Sequence, residues 1–402
     1  MKILQLCGKV PFPTRDGGCL AMEALSRDLQ QIGQLVAVGA FSTHKHPFDA
    51  GSIAKHPVFG KTLTSVSLDI RLKPVNALSS LIRKKIPYNL ERFYTKEGIA
   101  FVQDLVKKHQ PDLIVLDGVQ LLPYFQLLKE SGARIVYRSH NCEYRLWEGR
   151  AAHCKDPVKK IYLNFLSRQM KQYEQSILSK MDGLLWISDR DRKEMNLPAL
   201  YGKQMIYPFT IQLPPAEKNQ ARDKQAPVFF HIGSMDWEPN IEGINWFLQK
   251  VWSRVNLKSA ALTFRIAGKN MPDKLQQLQL KGFENVGEVK DAQAFMREGD
   301  VMVVPLFSGS GIRVKIVEAM AMGKTVLTTQ KGVEGIEGTP GVHWFSADGQ
   351  DSFLERIHFI VEHTEEREKV GAAGRELVEK LFSANKFFPQ IKDFILQAQA
   401  HE

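Results

Sequence analysis

A chain of 402 residues is too long for one ordinary hydrophobic core and fits two domains of about 200 residues each. With 44% hydrophobic and 24% charged residues the composition excludes disorder, and no run approaches the ~18 uninterrupted apolar residues of a membrane span. A net charge of +10 favours anionic ligands and surfaces. Nucleic acid is not expected among them, because the basic residues are scattered and no aromatic-rich motif or helix-turn-helix signature accompanies them.

The first half alternates short apolar strands with amphipathic helices, the pattern of a parallel sheet covered on both faces. Lys2–Cys7 reads as the first strand. The opening MKILQLC is too short for a signal-peptide core and runs into Gly8, Pro11 and Pro13, so the expected compartment is the cytoplasm. A helix follows from about Leu20 to Ile32, stopped by Gly33, and Leu35–Phe41 is the second strand. Residues 75–88 carry Arg83, Lys84 and Lys85 bordered by apolar residues at roughly helical spacing. That pattern suits either a membrane interface or a solvated basic loop. Thr95 can cap a helix ending near His109; Leu113–Leu116, bounded by Asp112 and Asp117, and Arg134–Tyr137 read as buried strands. A helix over about Pro157–Lys180 leads into a strand at Gly183–Ile187. The four cysteines, Cys7, Cys19, Cys142 and Cys154, have no metal-ligand spacing and form no disulfide framework, so reduced thiols are expected.

Between Leu213 and Pro227, LPPAEKNQARDKQAP has adjacent prolines, many charges and no apolar periodicity, as an interdomain linker does. The alternation then restarts: strand Val228–Ile232, helix Ile241–Val251, strand Leu262–Ile266, Gly268, a strand around Val286, then Val301–Val304 and Val326–Leu327. In the closing segment Phe387, Phe388, Ile391, Phe394 and Ile395 fall at helical spacing.

The segment most suggestive of chemistry is GSGIRVKIVEAMAMGK, from Gly309 to Lys324. It follows an apolar strand ended by Pro305, and Gly309 and Gly311 let the backbone turn with its N–H groups unblocked, at a helix N-terminus suited to phosphate. Arg313, Lys315 and Glu318 are the charges among apolar residues from Ile312 to Met322 and need partners. Two cations suit a diphosphate and one carboxylate suits ribose hydroxyls; the alternative is an i,i+3 Lys315–Glu318 ion pair. Gly17 and Gly18 permit close approach of an anion at another helix N-terminus, or serve a turn needing positive φ. His140, in RSHNCEYR, falls at a strand's carboxyl end, where α/β folds bind ligands. Gly233 and Ser234 follow a strand, with Asn240 as a candidate cap for the next helix. No metal triad, nucleophile elbow or P-loop lysine is present.

The glycine loop with Glu318 and AMAMGK-TVL resembles the donor-site signature of the retaining GT-B glycosyltransferases, glycosyltransferase family 4 (bacterial glycosyl transferases group 1). RSHNCEYR is similar to the family's SHN-E segment. The resemblance implies an α/β GT-B fold: two facing Rossmann-like domains with a cleft between them, residues 1–213 on the acceptor side and 228–384 on the donor side. Residues 214–227 would link them and helix 385–402 would cross back. It implies transfer of a sugar from a nucleotide diphosphate sugar to a glycan or lipid-linked acceptor in bacterial cell-surface polysaccharide synthesis, with no cofactor or metal. The expected place is the cytoplasm or the inner face of the plasma membrane. Glu318 matches the second family glutamate, which holds the ribose, while Ser310, eight residues earlier, stands where the family has its first glutamate. Ser234 stands where many members have arginine, so Arg313 and Lys315 would supply the compensating charge, with the amides of Ser310, Gly311 and Ile312. Val289 falls where backbone groups hold the nucleobase. A sugar-nucleotide epimerase of the same fold and a non-catalytic sugar-nucleotide or lipid-binding protein are the rival readings.

Overall fold

The computed structural model describes residues 1–13, 17–71, 86–152, 154–197, 203–215, 226–255, 262–309 and 312–397. The chain divides into two compact units, Met1–Thr210 with Ala384–Glu402, and Ile211–Ser383.

Unit 1 is built on a seven-stranded parallel sheet of β1 (Lys2–Cys7), β2 (Gln34–Ser42), β3 (Leu63–Ser67), β4 (Leu113–Asp117), β5 (Arg134–Ser139), β6 (Gly183–Trp186) and β7 (Lys203–Ile206). Their order is β3-β2-β1-β4-β5-β6-β7, so the chain reverses its direction of growth between β1 and β4, where a doubly wound sheet opens a crevice at its carboxyl edge. Helices cover both faces, which is why the central strands read as continuous apolar runs rather than alternating ones; every residue of β4 is buried. The helices that matter here are α1 (Gly17–Ile32), α2 (Lys96–His109), α3 (Glu143–Ala152) and α4 (Pro157–Leu178). The Thr95 side chain caps α2 by accepting from the Gly98 N–H. Asp156 caps α4 by accepting from the N–H groups of Val158 and Lys159, and Pro157 opens the first turn, where its missing N–H is not needed.

Unit 2 carries a six-stranded parallel sheet, β8 (Val228–Ile232), β9 (Thr263–Ala267), β10 (Phe283–Gly287), β11 (Val301–Val304), β12 (Thr325–Thr328) and β13 (Phe345–Ser346). The order β10-β9-β8-β11-β12-β13 puts its switch point between β8 and β11. Its helices include α5 (Glu238–Trp246), α6 (Val314–Ala321) and α7 (Thr364–Phe382). Phe247 anchors the core, 4.9 Å from Phe264 and 5.7 Å from Phe353 between ring centroids. After α7 the chain enters α8 (Ala384–Gln397), whose Ile391, Phe394 and Ile395 join the unit 1 core beside Ile3, Leu25 and Val136.

The strands that sequence reasoning does not find are β3, β7 and β13. All three are part-exposed, so they lack the buried apolar run that marks a central strand. Residues 72–85, with most of the basic segment, and residues 216–225, with most of the expected linker, lie outside the described residues. Among the described residues no helix is long and apolar enough to cross a membrane.

Candidate functional site

In unit 2, β11 ends at Val304 and the loop after it passes through Gly309, whose φ of +94° places it in the left-handed region that favours glycine. A Cβ there would also stand 2.9 Å from the Trp237 ring. The helix then begins at Val314 with Arg313 in the cap position. The Arg313 side chain is buried, its guanidinium 5.5 Å above the centroid of Trp237, a stacking geometry that fixes the plane of the charged group. Burial pulls its pKa down, and the Glu334 carboxylate offsets this only in part.

Lys315 is half-buried on the first turn of α6. Its Nζ donates to Asn240 Oδ1 at 2.7 Å and lies 3.4 Å from His231 Nε2. His231 Nδ1 is 2.8 Å from the Val303 carbonyl, which can only accept, so Nδ1 carries the proton and Nε2 turns its lone pair to the ammonium. Burial, then the Lys315 charge, pushes the His231 pKa well below its usual value, which keeps the imidazole neutral. Burial, then Arg313, brings Lys315 itself down to about 7. A Cβ at Gly233 would lie 2.7 Å from Nζ, so only glycine leaves this approach open. Asn240 Nδ2 donates to the Ser234 carbonyl at 2.8 Å, and Ser234 Oγ donates to Asp236 Oδ1 at 2.5 Å.

Glu318 lies one turn further along α6, half-buried, and no described residue hydrogen-bonds or ion-pairs with its carboxylate. Burial raises its pKa to about 7. The i,i+3 ion pair with Lys315 does not form, because the ammonium is turned to Asn240 and His231. At the carboxyl ends of β9 and β10 a cavity of about 540 Å³ is lined by Gly268, Asn270, Met271, Asn285, Gly287 and Glu288, among others. Val289 follows directly in the chain, half-buried.

In unit 1, His140 sits one residue past β5. Its Nε2 is 2.5 Å from Asp117 Oδ1, at the end of β4; the imidazole is 17% exposed and the carboxylate not at all. Gln5 Nε2 donates to the other carboxylate oxygen at 2.9 Å, and Ser26 Oγ donates to Gln5 Oε1 at 2.6 Å. Burial alone would raise the Asp117 pKa, but His140, then Arg138 and Gln5, outweigh it and hold the group below the ordinary carboxylate range. The carboxylate therefore accepts from His140 Nε2–H and fixes the ring, with Nδ1 as the remaining polar atom. Arg138 is fully buried, stacks 4.9 Å over the Tyr207 ring and donates to the Ala21 carbonyl of α1. Gly17 and Gly18 are the first residues of α1, in helical backbone and not in a turn that needs positive φ.

The structure thus brings Arg313, Lys315, Gly233 and Ser234 together with Trp237, Asn240 and His231 in unit 2, and His140 with Asp117 in unit 1. Asn240 does not cap α5: that helix starts at Glu238 with Trp237 in the cap position, and the Asn240 amide reaches Lys315 and Ser234 instead. Ser310 and Gly311 lie outside the described residues; Ile312 is half-buried at the entry to α6. Asp117 and His231 escape sequence reasoning as functional candidates. Each lies at or near the carboxyl end of a buried strand, a polar residue after an apolar run, and that position is the signal that could have found them.

Residues 226–363 match the family model described as glycosyl transferases group 1. Over 97% of its length the chain is 21% identical to a Klebsiella pneumoniae protein described as an uncharacterized 44.6 kDa protein in cps region, 98% of which is covered. Among solved structures, Anabaena Alr3699/HepE in complex with UDP is similar with a TM-score of 0.66 at 14% identity, covering 99% of this chain and 100% of that one. The UDP-glucose complex of the same protein gives 0.64 at 14% identity over the same shares. Sucrose-phosphate synthase from Thermosynechococcus elongatus gives 0.65 at 17% identity, covering 99% and 98%. The chain has the GT-B fold of these solved structures, with two Rossmann-like domains.

Proposed function

We propose that the chain is a retaining glycosyltransferase of the hexosyltransferase type. It moves a sugar from a nucleotide diphosphate sugar to a glycan or lipid-linked acceptor in cell-surface polysaccharide synthesis, at the cytoplasmic face of the membrane. The observation that carries this reading is α6, where a desolvated ammonium and a carboxylate without a partner among the described residues follow a strand-end loop one turn apart. Arg313 and Lys315 take the diphosphate and stabilise the charge that grows on it as the glycosidic bond breaks. The amides of Ser310, Gly311 and Ile312 add donors to the same phosphates. Glu318 accepts from the ribose hydroxyls. The loop of Gly233 and Ser234 leaves room for the phosphates, and the neighbouring cavity by Val289 takes the base. In unit 1, the N-terminus of α1 at Gly17 and Gly18 suits an anion, and His140, oriented by Asp117, takes a hydroxyl of the transferring sugar or of the acceptor. Retention needs no protein base in this scheme, because the departing phosphate oxygen takes the acceptor proton, which calls for cations at the phosphate.

Solved structures of similar proteins hold UDP and UDP-glucose, and a relative is described by its place in a cps region; both support this donor class and setting. The test is a panel of nucleotide sugars scored first by melting temperature and then by transfer. A donor that binds only the folded chain raises the melting point, and the anomeric configuration of the product, read by NMR, reports retention. Stabilisation by no nucleotide sugar overturns the reading. Stabilisation without transfer or hydrolysis selects the non-catalytic alternative.

A further inference from the structure

Among the exposed large apolar side chains of the described residues, two stand apart: Val158 is 76% exposed and Ile161 72%, while the next, Val342, reaches 49%. They lie three residues apart on the first turns of α4, on one face of the helix. Around them Arg150, Lys155, Lys159 and Lys160 are exposed, with the Arg150 guanidinium 4.6 Å over the Trp147 ring. Of the acidic groups in this stretch, Asp156 has its carboxylate turned to the N–H groups of Val158 and Lys159 as the helix cap, and Glu148 is paired with Arg145 at 2.7 Å.

The position of this tip follows from the register of the hairpin. The start of α3 is held against the far part of α4: Glu174 accepts from the Glu143 and Tyr144 N–H groups at 3.3 and 3.1 Å, and Ser167 Oγ donates to the Tyr144 carbonyl at 2.9 Å. The two helices are therefore antiparallel, and α3 starts three residues after His140. Past Glu174 the chain descends into β6, whose Gly183 pairs with Val136 in β5. The part of α4 before Glu174 thus stands beyond the carboxyl edge of the unit 1 sheet. At 1.5 Å per residue its tip reaches roughly 18 Å past the level of Tyr144.

We propose that the tip of the α3–α4 hairpin docks on an anionic lipid surface, with Val158 and Ile161 entering the headgroup boundary and Lys155, Lys159 and Lys160 meeting the lipid phosphates. Two aliphatic side chains ringed by cations, on a projection from the edge that carries His140, match the chemistry of an interfacial helix. Charge decides the occupant: a purely apolar partner leaves these cations desolvated and unpaired, whereas an anionic bilayer attracts each by about 1 kcal/mol.

The test is sedimentation of the full chain with phosphatidylglycerol-containing and with pure phosphatidylcholine vesicles. Wild type is expected to bind the anionic vesicles at low salt and not the zwitterionic ones. The double variant Lys159→Ala/Lys160→Ala is expected to bind about thirtyfold more weakly at low salt, a difference that shrinks in high salt. The variant Val158→Ser/Ile161→Ser is expected to lose at least about tenfold at either salt concentration. Because all four side chains are exposed, melting temperatures and transfer to a soluble acceptor should stay as in wild type; loss of transfer in wild type therefore bears on the function proposed above and not on docking. Wild type remaining in the supernatant overturns the proposal. So does equal binding by wild type and both variants, or conversion of a wild-type dimer to a monomer by the serine variant, which assigns the tip to a self-contact.

Discussion

In unit 1 the His140 imidazole already has its partner, a fully buried carboxylate 2.5 Å away, whereas in unit 2 the Glu318 carboxylate has none among the described residues and Lys315 is met by neutral groups. The electrostatic consequences run in opposite directions. Asp117 is buried yet stays below the usual carboxylate range, because His140, Arg138 and the Gln5 amide surround it. Glu318 and Lys315 are both pulled to about 7 by burial, from opposite sides of neutrality. Unit 1 therefore presents a partnered pair, and unit 2 presents a Lys315 ammonium held by neutral groups beside a Glu318 carboxylate with no partner among the described residues, so burial disfavours the charged form of each. In the function proposed above, a nucleotide diphosphate sugar stabilises both charged forms, with anionic oxygens for Lys315 and hydroxyl donors for Glu318.

The comparison breaks most visibly at the two cations. Arg313→Ala or Lys315→Ala should lower turnover by about a hundred- to thousandfold, the range for losing one group that meets transition-state charge, with a smaller loss in donor affinity. Single-turnover rates beside equilibrium titration separate the two quantities. Equal losses would make the contact a ground-state one, and no loss would return both residues to a structural role.

Asp117→Ala should instead act on folding. It removes the partner of a buried pair and should cost about 3 kcal/mol in a urea titration. In the parent protein this stability is present above about pH 4 and lost as the pH falls through the depressed Asp117 value, since the unfolded carboxyl takes up its proton first. His140→Ala should reduce transfer to acceptor, and the companion His140→Ala/Asp117→Asn, which removes the stranded charge, should regain stability without regaining transfer.

Glu318→Gln should have the opposite sign. A carboxyl raised from its ordinary 4.5 to about 7 makes the fold lose stability as pH rises from about 4.5 to 7. The glutamine variant should therefore melt above wild type at pH 8, by about 1 kcal/mol of stability, and show no gain at pH 5. A lower melting point at pH 8 would mean that the carboxylate has a structural partner.

The smallest expected effect is on the pH profile of nucleotide affinity. Binding needs Glu318 ionised and Lys315 protonated, both near 7, so affinity should peak near neutrality and fall by less than about tenfold at pH 6 and 8. A profile flat from pH 5.5 to 8.5 would separate these groups from the ligand.

Much of this contrast was legible in the sequence, and the reason is physical. Central strands such as β4 and β11 are buried on both faces and announce themselves as apolar runs; charges inside the apolar helix at 313–318 stand out because burial without a partner is costly. What stayed hidden depends on register between distant segments. Nothing local shows that Lys315 turns from Glu318 towards Asn240, 75 positions away, or that Asp117, which reads as a strand boundary, reaches His140 across β4 and β5. Asn240 reads as a helix cap because its residue type and place fit one, and only the fold shows its amide spent on another helix.

The central claim is that Glu318 and Lys315 wait for a nucleotide diphosphate sugar, and calorimetric titration tests it most directly. The best-stabilising nucleotide from the panel is titrated at pH 7 into wild type and into folded Glu318→Gln. A hydrogen bond to a carboxylate contributes about 1.5–3 kcal/mol, so the account predicts roughly ten- to hundredfold weaker binding by the variant. Equal affinity in the two proteins would contradict it.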